Sequence, residues 1–267
     1  MALAYIPPVE PTTVTLVGLP GVPMVQAGDD LPAIVVDAVG RSGLTPQADD
    51  VVVVTSKIVS KAEGCVVDLR TVEPSDRARE LAALTEKDPE LVELVLQEST
   101  EVVRAVPGVL LVRHRLGFTS ANAAIDRSNA DGSEHTALLM PADPDATAAR
   151  IKAALDDAYG FEPGGAGMGV LITDTHGRPF RRGNIGVAVG VAGFEAVVDR
   201  IGDHDLFGRE LKATVVPLAD ELAAAAALVS GETDEGLPIV LVRGLALRDS
   251  ATGASELLFP ADRDLFR

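Results

Sequence analysis

Apolar residues in this chain follow two rhythms, and that alternation constrains the fold more than any other feature. Residues 13–18 (TVTLVG) and 51–55 (VVVVT) are β-branched runs closed off by turn residues, the pattern of strands. Between them Leu31, Ile34, Val35, Ala38 and Val39 recur at spacings of one, three and four, the buried face of a helix with Asp29 or Asp30 to cap it. Asp88-Pro89 and Asp143-Pro144 each set a capping Asp before a Pro suited to the first helical position, which predicts helices near 90–98 and 145–159. Further helices are expected over 75–86 and 218–230. Further strands are expected over 101–106, 109–114, 168–173, 185–191 and 238–243. Helices and strands do not alternate strictly and strands come in pairs, so the expected class is α+β rather than a doubly wound sheet. The chain reads as one domain over 1–267; if it divides into two packed α+β lobes, the Gly-rich stretch 160–169 (GFEPGGAGMG) is the expected boundary.

Charge narrows the partners. Lys and Arg total 23 against 40 Asp and Glu, a formal net charge of −17. A nucleic-acid protein needs a basic footprint to displace counterions, so no nucleic-acid partner is expected. Aromatics make up 3% of residues and Trp is absent, which also argues against base stacking. A phosphate ligand would meet a negative field unless it is offset locally, and carboxylate-held cations do that. The single Cys65 rules out an internal disulfide framework. No run approaches the roughly 18 apolar residues of a spanning helix, and residues 1–11 hold no Lys or Arg. The expectation is a cytoplasmic protein with no membrane partner.

Several common sites are missing. There is no GxxxxGK[ST] and no GxGxxG; Gly165, Gly167 and Gly169 come close, but the last spacing is wrong and a strand follows. HExxH and paired CxxC are absent, and His114, His135, His176 and His204 show no ligand spacing. Ordinary polar or hydrogen-bonded roles are expected of those four.

Four segments remain that are dense in residues suited to phosphate chemistry. Gly18-Leu19-Pro20-Gly21-Val22-Pro23 is a stiff turn after a strand, which local sequence alone reads as a connector. Residues 55–64 (TSKIVSKAEG) follow a strand directly. If they turn helical, Ser56 and Ser60 share one face and Lys57 and Lys61 another, a phosphate seat or a solvated basic face. A lysine pair is unusual in so acidic a chain. Residues 120–129 (SANAAIDRSN) cluster amides with a carboxylate in an expected loop, able to hold a hard cation or simply to turn the chain. Residues 173–183 (TDTHGRPFRRG) place an acid and a hydroxyl at an expected strand end, followed by Arg178, Arg181 and Arg182; here a metal ligand and an anion fork outweigh a charged hairpin. Near the C-terminus, residues 230–236 (SGETDEG) carry three acids, which by themselves read as a solvated loop.

The order of VGLPGVPMVQAGDDL, VVVTSKIVSKAEG, RHRLGFTSANAAIDRSN, LITDTHGRPFRRG and GLPIVLVRG resembles one family, the coenzyme F420:L-glutamate ligases, from about Val17 to Gly244. The resemblance implies a distinctive α+β fold, a homodimer, and an enzyme that uses GTP with magnesium or manganese to join L-glutamate to coenzyme F420-0, then adds further γ-linked glutamates. It implies Asp126 and Asp174 as ligands of one divalent ion, and Thr175 and Glu232 as ligands of a second. It implies nucleotide contacts at Leu19, Pro20, Gly21, Val22, Ser56, Lys61 and Asn129, with Lys57 adjacent, and at Ser230, Gly231, Glu232, Thr233, Asp234, Glu235, Gly236 and Leu237. Lys61 and Asp174 are the expected catalytic residues. Ala124 departs from the glycine usual in the family's N-A-G-I-D run, and His176 and Phe180 stand where other residues, often aromatic, occur around T-D-T-x-G-R. The expected chemistry is an acyl phosphate formed from GTP and captured by the glutamate amine. A non-catalytic GTP- or coenzyme-binding module, or an amide ligase acting on another phosphorylated cofactor, are the alternatives.

Overall fold

A computed structural model describes residues 12–128, 132–162, 167–260 and 263–264. Strand β1 (Thr15–Gly18) and helix α1 (Leu31–Arg41) lead to β2 (Val51–Thr55), which runs without a linker into α2 (Ser56–Ala62) and on to β3 (Val66–Asp68). Helices α3 (Asp76–Thr85) and α4 (Pro89–Gln97) precede strands β4 (Ser99–Val106), β5 (Val109–His114), β6 (Thr119–Ala121) and β7 (Thr136–Leu138). Helix α5 (Pro144–Tyr159) then leads to the hairpin of β8 (Gly169–Gly177) and β9 (Asn184–Ala192). The short strands β10 (Val198–Asp199) and β11 (Val215–Val216), helix α6 (Leu218–Ser230) and β12 (Ile239–Arg243) complete the α+β fold.

Five strands form the main sheet in the order β1-β12-β2-β8-β9, with β2 and β8 parallel and the other neighbours antiparallel. The unbroken valines of β2 follow from its central place. Successive side chains on a strand point to opposite faces, and here both faces are covered. Val52 and Val54 pack with Val35 and Val39 of α1 and Ile151 and Leu155 of α5. Val51 and Val53 pack on the other side with Leu222, Ala223 and Ala226 of α6. Each buried Val contributes roughly 1.5–3 kcal/mol relative to exposure. A third apolar cluster lies apart, where Leu81 of α3 and Leu91 and Val95 of α4 meet Leu110 and Val112 of the three-stranded β4-β5-β6 sheet.

Local signals explain most boundaries. Asp30 caps α1 by accepting the Ala33 N–H at 3.1 Å, whereas Asp29 accepts from Gln26. Asp143 caps α5 through the Ala146 N–H. Asp88 stands at the N-cap of α4 but makes no cap bond; its carboxylate takes Arg127 instead, at 2.9 Å. Two expectations are corrected. Strand β8 continues through Asp174 and Thr175 to Gly177, because β9 pairs with it as far as Asn184, so these residues lie within a strand and not at its end. Residues 120–124, the first half of the loop expected over 120–129, lie instead in β6 and a short 3-10 turn. The stretch 160–169 joins α5 to β8, with 163–166 outside the described residues, and the main sheet takes strands from both sides of it. Among the described residues no helix is long and apolar enough to cross a membrane.

Strand β9 is clasped from both faces. A bulge at Val189, where Ile172 pairs with Gly190 but Thr173 with Ala188, reverses which way the flanking residues project. Gly186 faces the Ala223 carbonyl of α6, and Gly190 faces the Pro144 backbone of α5. A Cβ at Gly190 would lie 2.6 Å from the Pro144 carbonyl. Gly190→Ala is therefore expected to destabilise the fold by about 1–3 kcal/mol, read as a lowered chemical-denaturation midpoint.

Candidate functional site

The site grows from the junction of β2 and α2. In the parallel pairing Thr55 lies beside Thr173, so the next residues, Ser56 and Asp174, emerge together. The buried Ser56 hydroxyl donates to Asp174 Oδ1 at 2.7 Å. One residue on, Lys57 Nζ sits 2.7 Å from Asp126 Oδ2 and donates to the Ser128 hydroxyl at 2.9 Å. Ser128 N–H closes back on Asp126 Oδ1 at 2.6 Å. Adjacent residues of one helical turn thus hold the two acids, Ser56 taking Asp174 and Lys57 taking Asp126. The next turn repeats the pattern: Ser60 is buried beneath Ser56, and Lys61 follows Lys57.

A cleft of about 930 Å³ opens over this junction. Val22, Ser56, Lys57, Lys61, Asp174, Thr175 and every residue from Ser230 to Leu237 line it. Asp126 stands behind Lys57, joined to the wall by the ion pair. Leu19 is fully buried, its N–H bonded to Ile239 O at 2.8 Å as a continuation of the sheet. Pro20 and Gly21 are not on the cleft wall, and the Gly21 carbonyl accepts from Arg41. Asn129 lies outside the described residues. None of Arg178, Arg181 and Arg182 lines the cleft, and Arg178 donates within its own hairpin to the Gly183 and Asn184 carbonyls. The cleft also takes Met24, Arg127, Ser133, Glu134 and Ala227. Of these, only Arg127 had a signal in sequence, its place beside Asp126.

The C-terminal loop divides its three acids. Glu232 Oε1 accepts the Thr175 hydroxyl at 3.2 Å. Glu235 folds back to take the Thr233 N–H at 2.8 Å, and that bond holds its carboxyl below the ordinary glutamate value. The fold-back passes over Gly231, at φ +70°, where a Cβ would strike the Glu235 carboxylate. Asp234 accepts from the Thr233 hydroxyl.

Asp126 is poised as an anion. Burial alone would raise its carboxyl, but the hydrogen bonds from Lys57 and from Ser128, with the Lys57 charge, outweigh burial and hold it below the usual carboxylate value. Asp126, Asp174, Thr175 and Glu232 are all oxygen donors, the set suited to magnesium or manganese; Asp174, Thr175 and Glu232 line the cleft, and Asp126 is joined to its wall through Lys57. Among the described residues no three His, Cys, Asp or Glu side chains converge on one point. The residues fit ions that draw part of their coordination from a bound phosphate.

The approach to Asp126 is strained. Asn122, Ala123 and Ala124 lie at φ +52°, +54° and +54°, a left-handed turn that costs each non-glycine residue roughly 1–2 kcal/mol. Beyond it, Asp126 exchanges two backbone hydrogen bonds with Leu138, which fixes where its carboxylate emerges. Strain of this kind collects where a side chain must be delivered to a set place.

Beside the site the rings of His114 and Phe118 stack at 4.7 Å, and Phe118 meets His176 at 4.9 Å. His114 is fully buried, and its Nδ1 accepts the Leu116 N–H at 3.0 Å. Burial first, then the charges of Arg115 and His176, push its pKa down to about 4, against the pull of Asp174.

Comparison with known proteins gives a consistent result. The family described as F420-0:Gamma-glutamyl ligase matches residues 21–244. The coenzyme F420:L-glutamate ligase of Methanothermobacter thermautotrophicus is 45% identical over 257 residues, covering 95% of this chain and 99% of the relative. Those of Haloarcula marismortui and Methanopyrus kandleri are 44% and 40% identical, over 92% and 91% of this chain and 93% of each relative.

Two outcomes follow from the geometry. Ala124→Gly is expected to relieve the left-handed strain and raise stability by about 0.5–1 kcal/mol in denaturant unfolding, the gain being partly offset by glycine's unfolded-state entropy. For His114 the folded value lies below the unfolded one, so the unfolded state binds the extra proton between pH 6.5 and about 4. Stability contributed by neutral His114 is present above that window and is lost as pH falls through it, at up to about 1.4 kcal/mol per pH unit. Wild type compared with His114→Gln in denaturant unfolding across this range should show the variant lacking that slope.

Proposed function

This chain belongs to the F420-0:gamma-glutamyl ligase family, and on that premise we propose that it uses GTP to join L-glutamate to coenzyme F420-0, and then further glutamates through γ-links. It is a ligase, as relatives 39–45% identical over most of its length are named. The observation that carries the finer reading is the cleft in which Ser56, Lys57 and Lys61 face the strand bearing Asp174 and Thr175, with the 230–237 loop across from them.

An amide does not form readily from a carboxylate, so the acyl group must first be activated. In the proposed route a carboxylate oxygen of coenzyme F420-0 attacks the γ-phosphorus of GTP, the bond to the bridging oxygen breaks and GDP leaves. The amine of L-glutamate then attacks the acyl carbon, the bond to phosphate breaks, inorganic phosphate leaves and the amine gives up a proton. Phosphoryl transfer of this kind depends mainly on positioning and charge neutralisation. Lys61 lines the cleft where the phosphates would lie, and Lys57 stands one helical turn before it; their ammonium groups would stabilise phosphate charge. Ser56 holds Asp174 in one orientation through Oδ1. The 230–237 loop forms the facing wall and would contact the nucleotide. Two divalent ions, magnesium or manganese, would supply Lewis-acid neutralisation when bound, Asp126 with Asp174 holding one and Thr175 with Glu232 the other.

The test is incubation with GTP, Mg²⁺, L-glutamate and coenzyme F420-0, with GDP followed by chromatography and the coenzyme by mass spectrometry. Stoichiometric GDP and a coenzyme carrying added glutamyl units are expected. GDP without glutamylated product, or no reaction, would contradict the reading. Asp174→Asn should lower kcat roughly a thousandfold, and near-normal turnover would remove Asp174 from the scheme.

A further inference from the structure

Asp174 and His176 project from the same face of β8, being two apart on a strand. His176 Nε2 lies 3.0 Å from Asp174 Oδ2, with 9% of the imidazole and 16% of the carboxylate exposed. The other oxygen, Oδ1, accepts the Ser56 hydroxyl. The carboxylate therefore has a neighbour at each oxygen, a hydrogen-bonded hydroxyl of α2 at Oδ1 and the imidazole of its own strand at Oδ2. The Nε2 contact is close but not aligned for a hydrogen bond, and among the described residues the buried nitrogen has no hydrogen-bond partner.

The imidazole is itself held in place. Phe118 lies against it at 46°, and Phe118 is stacked within 4° of parallel on His114. His114 ends β5 and is locked by the Leu116 N–H, so the three rings form a column from the three-stranded sheet to the main sheet. His114 and His176 are buried and Phe118 is partly so, and contact with Phe118 restricts how the His176 ring can turn.

We infer that His176 is a positioning residue for Asp174: its buried nitrogen, fixed by the ring column, sets the rotamer in which the carboxylate faces the cleft and thereby tightens divalent-cation binding there. The inference rests on the reading of Asp174 as an ion ligand given above. It differs from a packing role, which any ring or apolar side chain of similar size would fill.

Three variants of the full chain separate these roles. His176→Phe keeps a ring against Phe118 and removes the nitrogen. His176→Leu removes both, and His176→Gln keeps a nitrogen of similar reach without the ring. Mn²⁺ binding, titrated by electron paramagnetic resonance in the presence of GTP, is the primary readout, with kcat and the KM for GTP beside it. His176→Phe and His176→Leu should weaken Mn²⁺ binding about tenfold, and His176→Gln should recover most of the affinity. At limiting Mn²⁺, kcat should fall in the Phe and Leu variants while the KM for GTP stays within about twofold. Wild-type affinity in His176→Phe, or His176→Gln binding as weakly as His176→Leu, would overturn the inference. If His176→Phe does not fold, the comparison of Gln with Leu decides alone. Absence of Mn²⁺ binding by the wild-type chain would overturn the ion-ligand reading itself, and this inference with it.

Discussion

Thr55 lies beside Thr173 where β2 runs parallel to β8, and the register of that pairing sets everything at the site. A slip of one residue would turn Asp174 to the opposite face and leave Ser56 without its acceptor. The register is pinned at the other end of β2, where the Asp50 carboxylate accepts from Arg243 of β12 at 2.6 and 2.7 Å and the Asp50 carbonyl takes the Gly169 N–H of β8 at 2.8 Å. Because α2 begins at the residue after β2, the precision of the buried sheet passes directly to Ser56 and Lys57. Sites carried on such elements hold their geometry better than sites built on loops.

The second constraint is charge. A chain of net charge −17 repels phosphate anions at long range, so a cleft that takes one has to supply its own positive field. Lys57, Lys61 and Arg127 all reach its wall. Two of them are tied to acids of their own, Lys57 to Asp126 and Arg127 to Asp88. The first pair helps to hold Asp126 as an anion, and both pairs fix the cations in place. Arg127 is drawn by the same acid that stands at the α4 N-cap, so the helix gives up a capping bond to hold a cation at the cleft.

Much of this was legible in the residues. An uninterrupted run of valines identified β2 to the residue, and the lysine pair of 55–64 drew notice because it stands in an acidic chain. The α+β class followed from paired strands between helices. What the residues alone did not carry was long-range pairing. Nothing local indicates that β9 continues beside β8 to Gly177, which is why Asp174 and Thr175 read as the end of a strand. Nor does sequence show that Asp88 prefers Arg127 to its own helix, or that Glu235 folds over Gly231 while Glu232 reaches Thr175. Leu19 sits in a stretch matched by resemblance, but its place in the core follows from the backbone bond to Ile239, a partner distant in the chain. The left-handed turn at 122–124 was invisible because alanine rarely adopts it.

Membership of the family accounts for the ligase chemistry, and the geometry shows one short helix holding both Asp174 and Asp126. The proposed function requires that Asp126 and Asp174, held by neighbouring residues of α2, share a cation over the nucleotide's phosphates. The most direct measurement is anomalous diffraction at the manganese edge from crystals grown with Mn²⁺ and a non-hydrolysable GTP analogue. One peak is expected within coordination distance of both Asp126 and Asp174, and a second beside Thr175 and Glu232. Manganese bound elsewhere, with the nucleotide outside the cleft, would contradict it.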